Sequence, residues 1–345
     1  MKVSLAAQRL PVVSVVLPIR NAAQTIDECL ESVSRQTYEL FEVIVIDDGS
    51  TDGSLARVKR WCDRDRRIQC VQQPPLGLVP ALNKGLSLAK GKYIARMDAD
   101  DLMLENRLHA QVEYLNQHPR IAVVATQVEL FPNHRITPAY QQYIRWQNQC
   151  ISSRDIAEEI YVESPIAHPS VMMRREACLR LGGYRQGDFP EDYDMWLRML
   201  SNRMCLAKLP QVLLKWRDHG QRTSRVDHRY HKQKFDQLRA RHLAKDPRIH
   251  TQRPLVLWGA GRKTRKRVAL AGIKPALWID VDTKKIGKSY LGARVEHYSC
   301  LGDKSSQVTK PFVLSYVNNH GARELIAKEL HRYGFNRGDD YLMIG

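Results

Sequence analysis

Gly91-Lys92-Tyr93-Ile94-Ala95-Arg96-Met97-Asp98-Ala99-Asp100-Asp101 is the stretch on which the fold turns. A helix breaker opens it, a short β-prone run follows, and a group of carboxylates closes it. Tyr93–Met97 reads as a strand, with the acids just past its carboxyl end. Toward the amino terminus, Leu78–Lys90 sets Leu82, Leu86 and Ala89 on one helical face, with Gly91 as its stop. Ile68–Val71 reads as another short strand. Ser54–Asp63 reads as a helix, with Leu55, Val58 and Trp61 spaced by three. Phe41–Ile46 is a strand ending in Asp47-Asp48-Gly49-Ser50. Ala22–Gln36 is helical, with Ile26, Cys29, Leu30 and Val33 in phase and Asn21 as a candidate cap. Val12–Ile19 is a continuous apolar run, as in a strand buried on both faces. Strand and helix alternate at the spacing of βαβ units, which predicts an α/β fold with a mostly parallel sheet flanked by helices. In such sheets ligands collect at the carboxyl ends of strands. Both acid groups, 47–48 and 98–101, fall at such ends.

Toward the carboxyl terminus the pattern is less regular. Ile121–Leu130 reads as a strand and residues 131–166 as loop and helix. His168–Arg174 and Leu206–Trp216 read as strands around a helix near Tyr193–Ser201. Residues 220–250 form a charged helical stretch. Val226, Tyr230, Phe235 and Leu238 give it an apolar stripe, and Arg229, Lys232, Lys234, Arg239 and Arg241 a basic flank. At Arg253 a second α/β pattern starts. Leu255–Trp258, Ala276–Ile279 and Phe312–Val317 are its strands, and Ala322–Tyr333 is a helix. The expected division is an α/β domain over 1–225, a basic helical connector over 226–250 and a smaller Rossmann-like domain over 251–345.

The chain has 345 residues, 43% hydrophobic and 26% charged, so it can build a core and is not disordered. Its net charge of +17 is uneven: residues 1–200 carry −1, and residues 201–250 and 251–345 carry +9 each. A basic surface favours an anionic partner, either a membrane surface or a polyanion. No zinc-finger spacing or aromatic–glycine RNA signature supports specific nucleic-acid binding. No apolar run reaches the roughly 18–20 residues of a membrane span, and the first eleven residues lack a secretory apolar stretch. The expected location is cytoplasmic, with the basic segment allowing a peripheral seat on the inner membrane face. The seven cysteines form no CxxC pair, which argues against a disulfide framework or structural zinc.

Three acidic groups carry candidate chemistry. Asp98 and Asp100 aimed at one point repel by about 4 kcal/mol at ~4 Å and an effective dielectric near 20. A hard divalent cation such as Mg²⁺ offsets that repulsion and adds substrate phosphates to its ligands. A solvated turn is the alternative for Asp-x-Asp alone. Asp48 ends a buried strand, where a carboxylate can accept from a ribose hydroxyl or a base N–H; capping the next helix is the alternative, which Asp52 could serve instead. Asp192 opens a helix, where it can take a proton from an attacking hydroxyl or complement the helix dipole.

Together these elements resemble family 2 glycosyltransferases of the GT-A fold. The resemblance rests on Val13–Asn21, Val45–Asp52, Gly91–Asp101, Gly182-Gly183-Tyr184 and Glu191–Arg198, in order over residues 10–225. It implies an inverting transfer of a sugar from a nucleotide diphosphate donor, expected to be a UDP-sugar, to a hydroxyl of a glycan or lipid-linked saccharide in cell-surface polysaccharide synthesis. It implies that Pro18 and Asn21 border the nucleotide and that Asp48 holds base or ribose. Asp98 would contact ribose or a metal-bound water, Asp100 would bind Mn²⁺ or Mg²⁺, and Asp192 would be the general base. His219, in Trp216-Arg217-Asp218-His219, is a candidate for the metal or diphosphate, with Arg217 and Arg222 as alternatives. His168-Pro169-Ser170 is similar to a stretch beside the acceptor cleft. Arg20 departs from the aromatic residue many members carry there.

Gly259-Ala260-Gly261 with Asp280 is similar to a dinucleotide fold but lacks the third glycine, so NAD(P) is not expected. A sugar-nucleotide-forming nucleotidyltransferase would need a Gly-rich basic loop after the first strand, and Pro18-Ile19-Arg20-Asn21 offers none. A non-enzymatic nucleic-acid binder rests on charge alone.

Overall fold

Val13–Ile19 is buried at every position and forms β1, in the interior of the larger sheet. The computed structural model describes residues 10–132, 136–303, 309–317, 319 and 321–345. Residues 1–9, on which the leader reading partly rests, lie outside them. After β1 the elements follow as α1 (Ile26–Ser34), β2 (Phe41–Asp48), α2 (Ser54–Arg64), β3 (Ile68–Gln73), α3 (Leu78–Leu88), β4 (Tyr93–Arg96), β5 (Leu102–Met103), α4 (Arg107–Gln117), β6 (Ile121–Phe131) and α5 (Pro138–Gln149). Then come α6 (Ser153–Glu159), β7 (Met172–Arg174), α7 (Arg175–Arg180), α8 (Glu191–Ser201), β8 (Cys205–Arg217) and α9 (Thr223–Val226).

The eight strands order as β3-β2-β1-β4-β7-β6-β8-β5. The β1–β2, β1–β4, β2–β3 and β6–β8 pairs are parallel, and β7 lies antiparallel between β4 and β6. The expected strand over 168–174 is shorter: His168–Ser170 is a 3-10 turn around Pro169, which cannot donate to a ladder, and only Met172–Arg174 pairs. Asn21 does not cap α1. It sits at φ +52°, and its side-chain oxygen accepts from the Thr51 amide at 2.8 Å, while Thr25 precedes the helix. Gly91 lies past the end of α3, where the strand passes so close that a Cβ would stand 2.6 Å from the Ser14 amide nitrogen. Ser14, the one polar residue inside β1, donates to Glu42 at 2.7 Å and accepts from the Gly91 amide at 2.9 Å.

The chain forms two compact units. One holds the residues up to Ser153 with Pro165–Gly187 and Glu191–Val226; the other holds Arg154–Ser164, Asp188–Pro190 and Asp227–Gly345. In the second, α10 (Lys232–Leu243) is followed by β9 (Leu255–Trp258), α11 (Arg262–Leu270), β10 (Leu277–Asp280), β11 (Ser289–Tyr290), β12 (Ala293–His297), β13 (Phe312–Ser315), α12 (Ala322–Arg332) and β14 (Tyr341–Met343). Its sheet runs β11-β12-β10-β9-β13-β14, parallel throughout except for the short β11. That is a Rossmann-like order, with its reversal between β9 and β13. Asp280 accepts from the Ala260 amide at 2.8 Å and from Lys285 at 3.0 Å, so this acid closes its own glycine turn. The basic flank read around α10 is partly neutralised: Arg229 pairs with Asp227, Lys234 with Asp188, and buried Arg239 with Asp236 and Glu163.

Candidate active site

The carboxyl ends of β1, β2 and β4 face one region because the three strands are parallel and in register. Met97, buried, carries the chain out of β4, and the turn 98–101 follows. One oxygen each from Asp98, Asp100 and Asp101 lies within 4.8 Å of the others. Each acid is held by a different cation or donor. Asp98 is ion-paired with Arg96, a guanidinium only 3% exposed inside β4. Asp100 Oδ2 lies 2.7 Å from His219 Nε2. Asp101 is buried, and its Oδ1 accepts from the Arg217 amide at 2.8 Å while its Oδ2 has no partner among the described residues.

The electrostatics follow from those partners. Burial raises the Asp98 carboxyl, the Arg96 charge draws it back down, and the Asp100 charge adds to the rise, so it stays above its ordinary value. Burial would raise Asp100 too, but the His219 hydrogen bond and the His219 and Arg222 charges outweigh it and hold it low. Asp101 is pushed well up by burial and by the Asp100 and Asp98 charges. Oxygen donors that crowd together, one of them buried without a partner, fit a hard divalent cation. Asp98, Asp100 and Asp101 could hold it, with His219 positioned to orient Asp100 or join it.

The end of β8 and the segment after it close the far side. Arg217 donates through Nε to the Asp100 carbonyl at 2.6 Å and through Nη2 to Glu28 at 2.5 Å. Arg222 lies 4.2 Å over the Trp216 ring and bonds the Tyr140 hydroxyl, which cages its guanidinium beside the acids.

Asp48 is buried at the end of β2. It accepts from Gln73 at 2.7 Å and from the amides of Leu76 at 2.9 Å and Gly77 at 2.9 and 3.1 Å, with Arg20 3.8 Å away. It orders the 73–77 turn, and only its Oδ2 has capacity left. Asn21 and the Ser50–Ser54 turn stitch the β1 end to the β2 end: the amides of Asn21, Ala22 and Ala23 donate to Ser50, Ser54 and Asp52. Pro18 is buried in β1, opposite Ile46.

Asp192 stands in the first turn of α8 and accepts from the Tyr193 amide at 2.7 Å. Burial and then the neighbouring Glu191 charge raise its carboxyl to about 7, and Arg96 acts against that rise. Asp194 is different. It is buried against Arg198 at 2.6 Å, and Arg198 in turn donates to the carbonyls of Leu181 and Gly183, so this pair holds the glycine turn. His168 is buried, bonds the Tyr184 hydroxyl at 2.8 Å, and is driven well toward its neutral form by burial and by the Arg96 charge. Arg96 thus acts on Asp98, Asp192 and His168 alike. Sequence reading passed over it, although an arginine in the interior of a buried strand is a visible anomaly.

Residues 14–182 match the family model described as Glycosyl transferase family 2. An uncharacterized glycosyltransferase of Haemophilus influenzae is 36% identical over 222 residues, covering 63% of this chain and 68% of that protein. The chain belongs to glycosyltransferase family 2. The amylovoran biosynthesis glycosyltransferase AmsE of Erwinia amylovora is 31% identical over 195 residues, covering 56% of this chain and 71% of AmsE. Among solved structures, S. aureus TarS 1-349 in complex with UDP aligns with a TM-score of 0.52 and 20% identity. That alignment covers 67% of this chain and 65% of TarS 1-349, and it shows a shared GT-A fold. No described helix is long and apolar enough to cross a membrane.

Proposed function

We propose that this family 2 member is an inverting, metal-dependent enzyme that moves a sugar from a nucleotide diphosphate donor, a UDP-sugar, to a hydroxyl of a glycan or lipid-linked acceptor in cell-surface polysaccharide synthesis. The observation that carries the reading is the convergence of Asp98, Asp100 and Asp101 at a parallel strand end, with His219 on Asp100. The UDP bound by TarS and the polysaccharide named for AmsE support the donor and the pathway class.

In this reading Asp100, with Asp98 and Asp101 beside it and His219 orienting or joining it, would hold Mn²⁺ or Mg²⁺, and Asp98 would meet the ribose or a metal-bound water. When bound, the cation neutralises the charge that builds on the departing diphosphate. Arg222, caged by Trp216 and Tyr140, adds a fixed positive charge on the same side. The free lone pairs of Asp48 Oδ2 accept from base or ribose, and Pro18 and Asn21 border that pocket. Asp192 takes the proton from the acceptor hydroxyl as the hydroxyl oxygen attacks the anomeric carbon. Its carboxylate is suited to this near neutral pH because burial has raised it to about 7. Single displacement at that carbon inverts it and needs no covalent intermediate.

The test is an assay of purified protein against a panel of UDP- and GDP-sugars with Mn²⁺, reading nucleotide release and the anomeric configuration of product. Inverted product from a UDP-sugar, abolished by chelation and in Asp192→Asn, is the expected result. Retained configuration, or turnover unchanged in Asp192→Asn, overturns the mechanism. A salt-sensitive attachment of the basic carboxyl-terminal half to anionic membrane would place the enzyme beside a lipid-linked acceptor, and flotation with anionic vesicles reads that directly.

A further inference from the structure

The acid cluster occupies the carboxyl end of β4; the amino end of that strand lies beside something of opposite sign. Arg174 pairs in register with Tyr93, the first residue of β4, whereas Asp98 lies two positions past its last. Ile121 and Cys205, which begin β6 and β8, are in register at that same amino end. A cleft of about 480 Å³ opens there, lined by Arg120, Arg174, Arg180 and Arg203 with a single acid, Glu176. Pockets of this size take small ligands.

We propose that this cleft is a second anion site, built for a phosphoryl group and separate from the acid cluster. The four guanidinium groups bring like charge to one cleft, and an anion standing among them would offset it. Glu176 offsets one charge of four. Arg174 is already fixed: it donates to the carbonyls of Ile121 at 2.8 Å, Leu115 at 2.6 Å and His118 at 3.2 Å, so its position is set before any ligand arrives. The guanidinium groups of Arg120, Arg180 and Arg203 make no hydrogen bond or ion pair with a described residue, which leaves their planar forks for bidentate contact with phosphate oxygens.

Arg203 adds a separate observation. It holds φ +58° just past α8, where the Met204 amide bonds back to the Met199 carbonyl at 3.0 Å. Glycine is the residue suited to that left-handed position. An arginine there carries backbone strain, and what it places at the cleft is a further cation.

A phosphoryl group reaches such a cleft from two sources, a lipid headgroup or a soluble phosphate, and two probes separate them. Inorganic pyrophosphate is titrated calorimetrically into the full chain in chelator, without divalent metal. Vesicles of phosphatidylglycerol are compared with phosphatidylcholine by sedimentation. We expect the wild type to bind at least one anionic probe. That binding should weaken at least tenfold in Arg120→Gln/Arg180→Gln and severalfold in Arg203→Gly, whose Tm should hold or rise because the strain is relieved. Lys59→Gln, which removes an exposed cation from α2, should keep it. Arginine-dependent pyrophosphate binding assigns a soluble ligand; arginine-dependent binding to vesicles alone assigns a headgroup. No binding of either probe, or equal binding by wild type and the arginine variants, overturns the site. The proposal does not rest on glycosyl transfer, so a failed transfer assay leaves it standing.

Discussion

His219 Nε2 lies 2.7 Å from Asp100 Oδ2, across 119 positions of chain. The contact joins the turn after β4 to the segment after β8, and it decides how the two residues should differ on mutation. Asp100→Asn removes a charged oxygen donor and should abolish metal-dependent turnover. His219→Ala leaves the carboxylates and should weaken Mn²⁺ affinity by about 10–100-fold. Mn²⁺ titration followed by electron paramagnetic resonance reads both. Equal Mn²⁺ affinity in His219→Ala and wild type would remove His219 from the metal site.

Asp192 gives a pH signature. A base raised to about 7 is mostly protonated at pH 6, so kcat/KM should climb through pH 7 and level off above it. Asp192→Asn should lower kcat by about 10²–10⁴-fold and flatten that limb. Stability moves the opposite way. Between the ordinary carboxylate value and about 7 the folded chain holds the proton that the unfolded chain has released, so this group's contribution falls as pH rises through that window. Urea unfolding of wild type and Asp192→Asn at pH 5 and pH 8 checks the sign.

Lys208 is 2% exposed in β8 and donates to the carbonyls of Gln147 and, at 2.9 Å, Pro165. Burial lowers its ammonium to about 8. Above that value the folded chain gives up a proton that the unfolded chain keeps, so stability should gain as pH rises from 8 toward 10. Lys208→Ala should lose that gain and be destabilised by about 2–4 kcal/mol at pH 7, because two buried carbonyls lose their donor.

Gly182 and Gly183 both hold left-handed backbone, at φ +74° and +72°. A Cβ on Gly182 meets nothing within 4 Å, whereas one on Gly183 would stand 2.5 Å from Asn83 Oδ1. Asn83 clamps Tyr184 by two backbone hydrogen bonds, at 2.8 and 2.9 Å, so it has little freedom to retreat. Gly182→Ala should cost about 1–2 kcal/mol from backbone strain. Gly183→Ala should cost a further 1 kcal/mol or more, roughly, from the steric overlap. Equal losses on urea unfolding would mean that Asn83 yields.

The amino-terminal half was legible because its signals are local. β1, β2 and β4 are apolar runs ended by acids, and the expected positions match to within a residue or two. The acid cluster was legible as a pattern, and the resemblance pointed to His219, Arg217 and Arg222 beside it. Arg96, two residues before Asp98, was legible too but passed over, whereas Tyr140 reaches Arg222 by tertiary placement that no spacing rule encodes. The strand read over 168–174 began too early, because the three residues of β7 carry too little periodicity to separate them from the Pro169 turn before them. Glu191–Ser201 shows both sides of the matter. Its acids look alike in sequence, yet Asp194 is locked to Arg198 while Asp192 accepts from the Tyr193 amide.

The Arg217 amide that bonds Asp101 lies 116 positions downstream of it. At about 5–20 residues per second, a ribosome needs on the order of ten seconds to make that interval. Throughout it Asp100 and Asp101 stand in a hydrated loop without His219 and the Arg217 amide, the partners they take in the finished fold. On the proposed reading, the capacity to hold a cation therefore waits on translation: it would arrive only once the chain has passed His219, and a fragment that stops short would lack it.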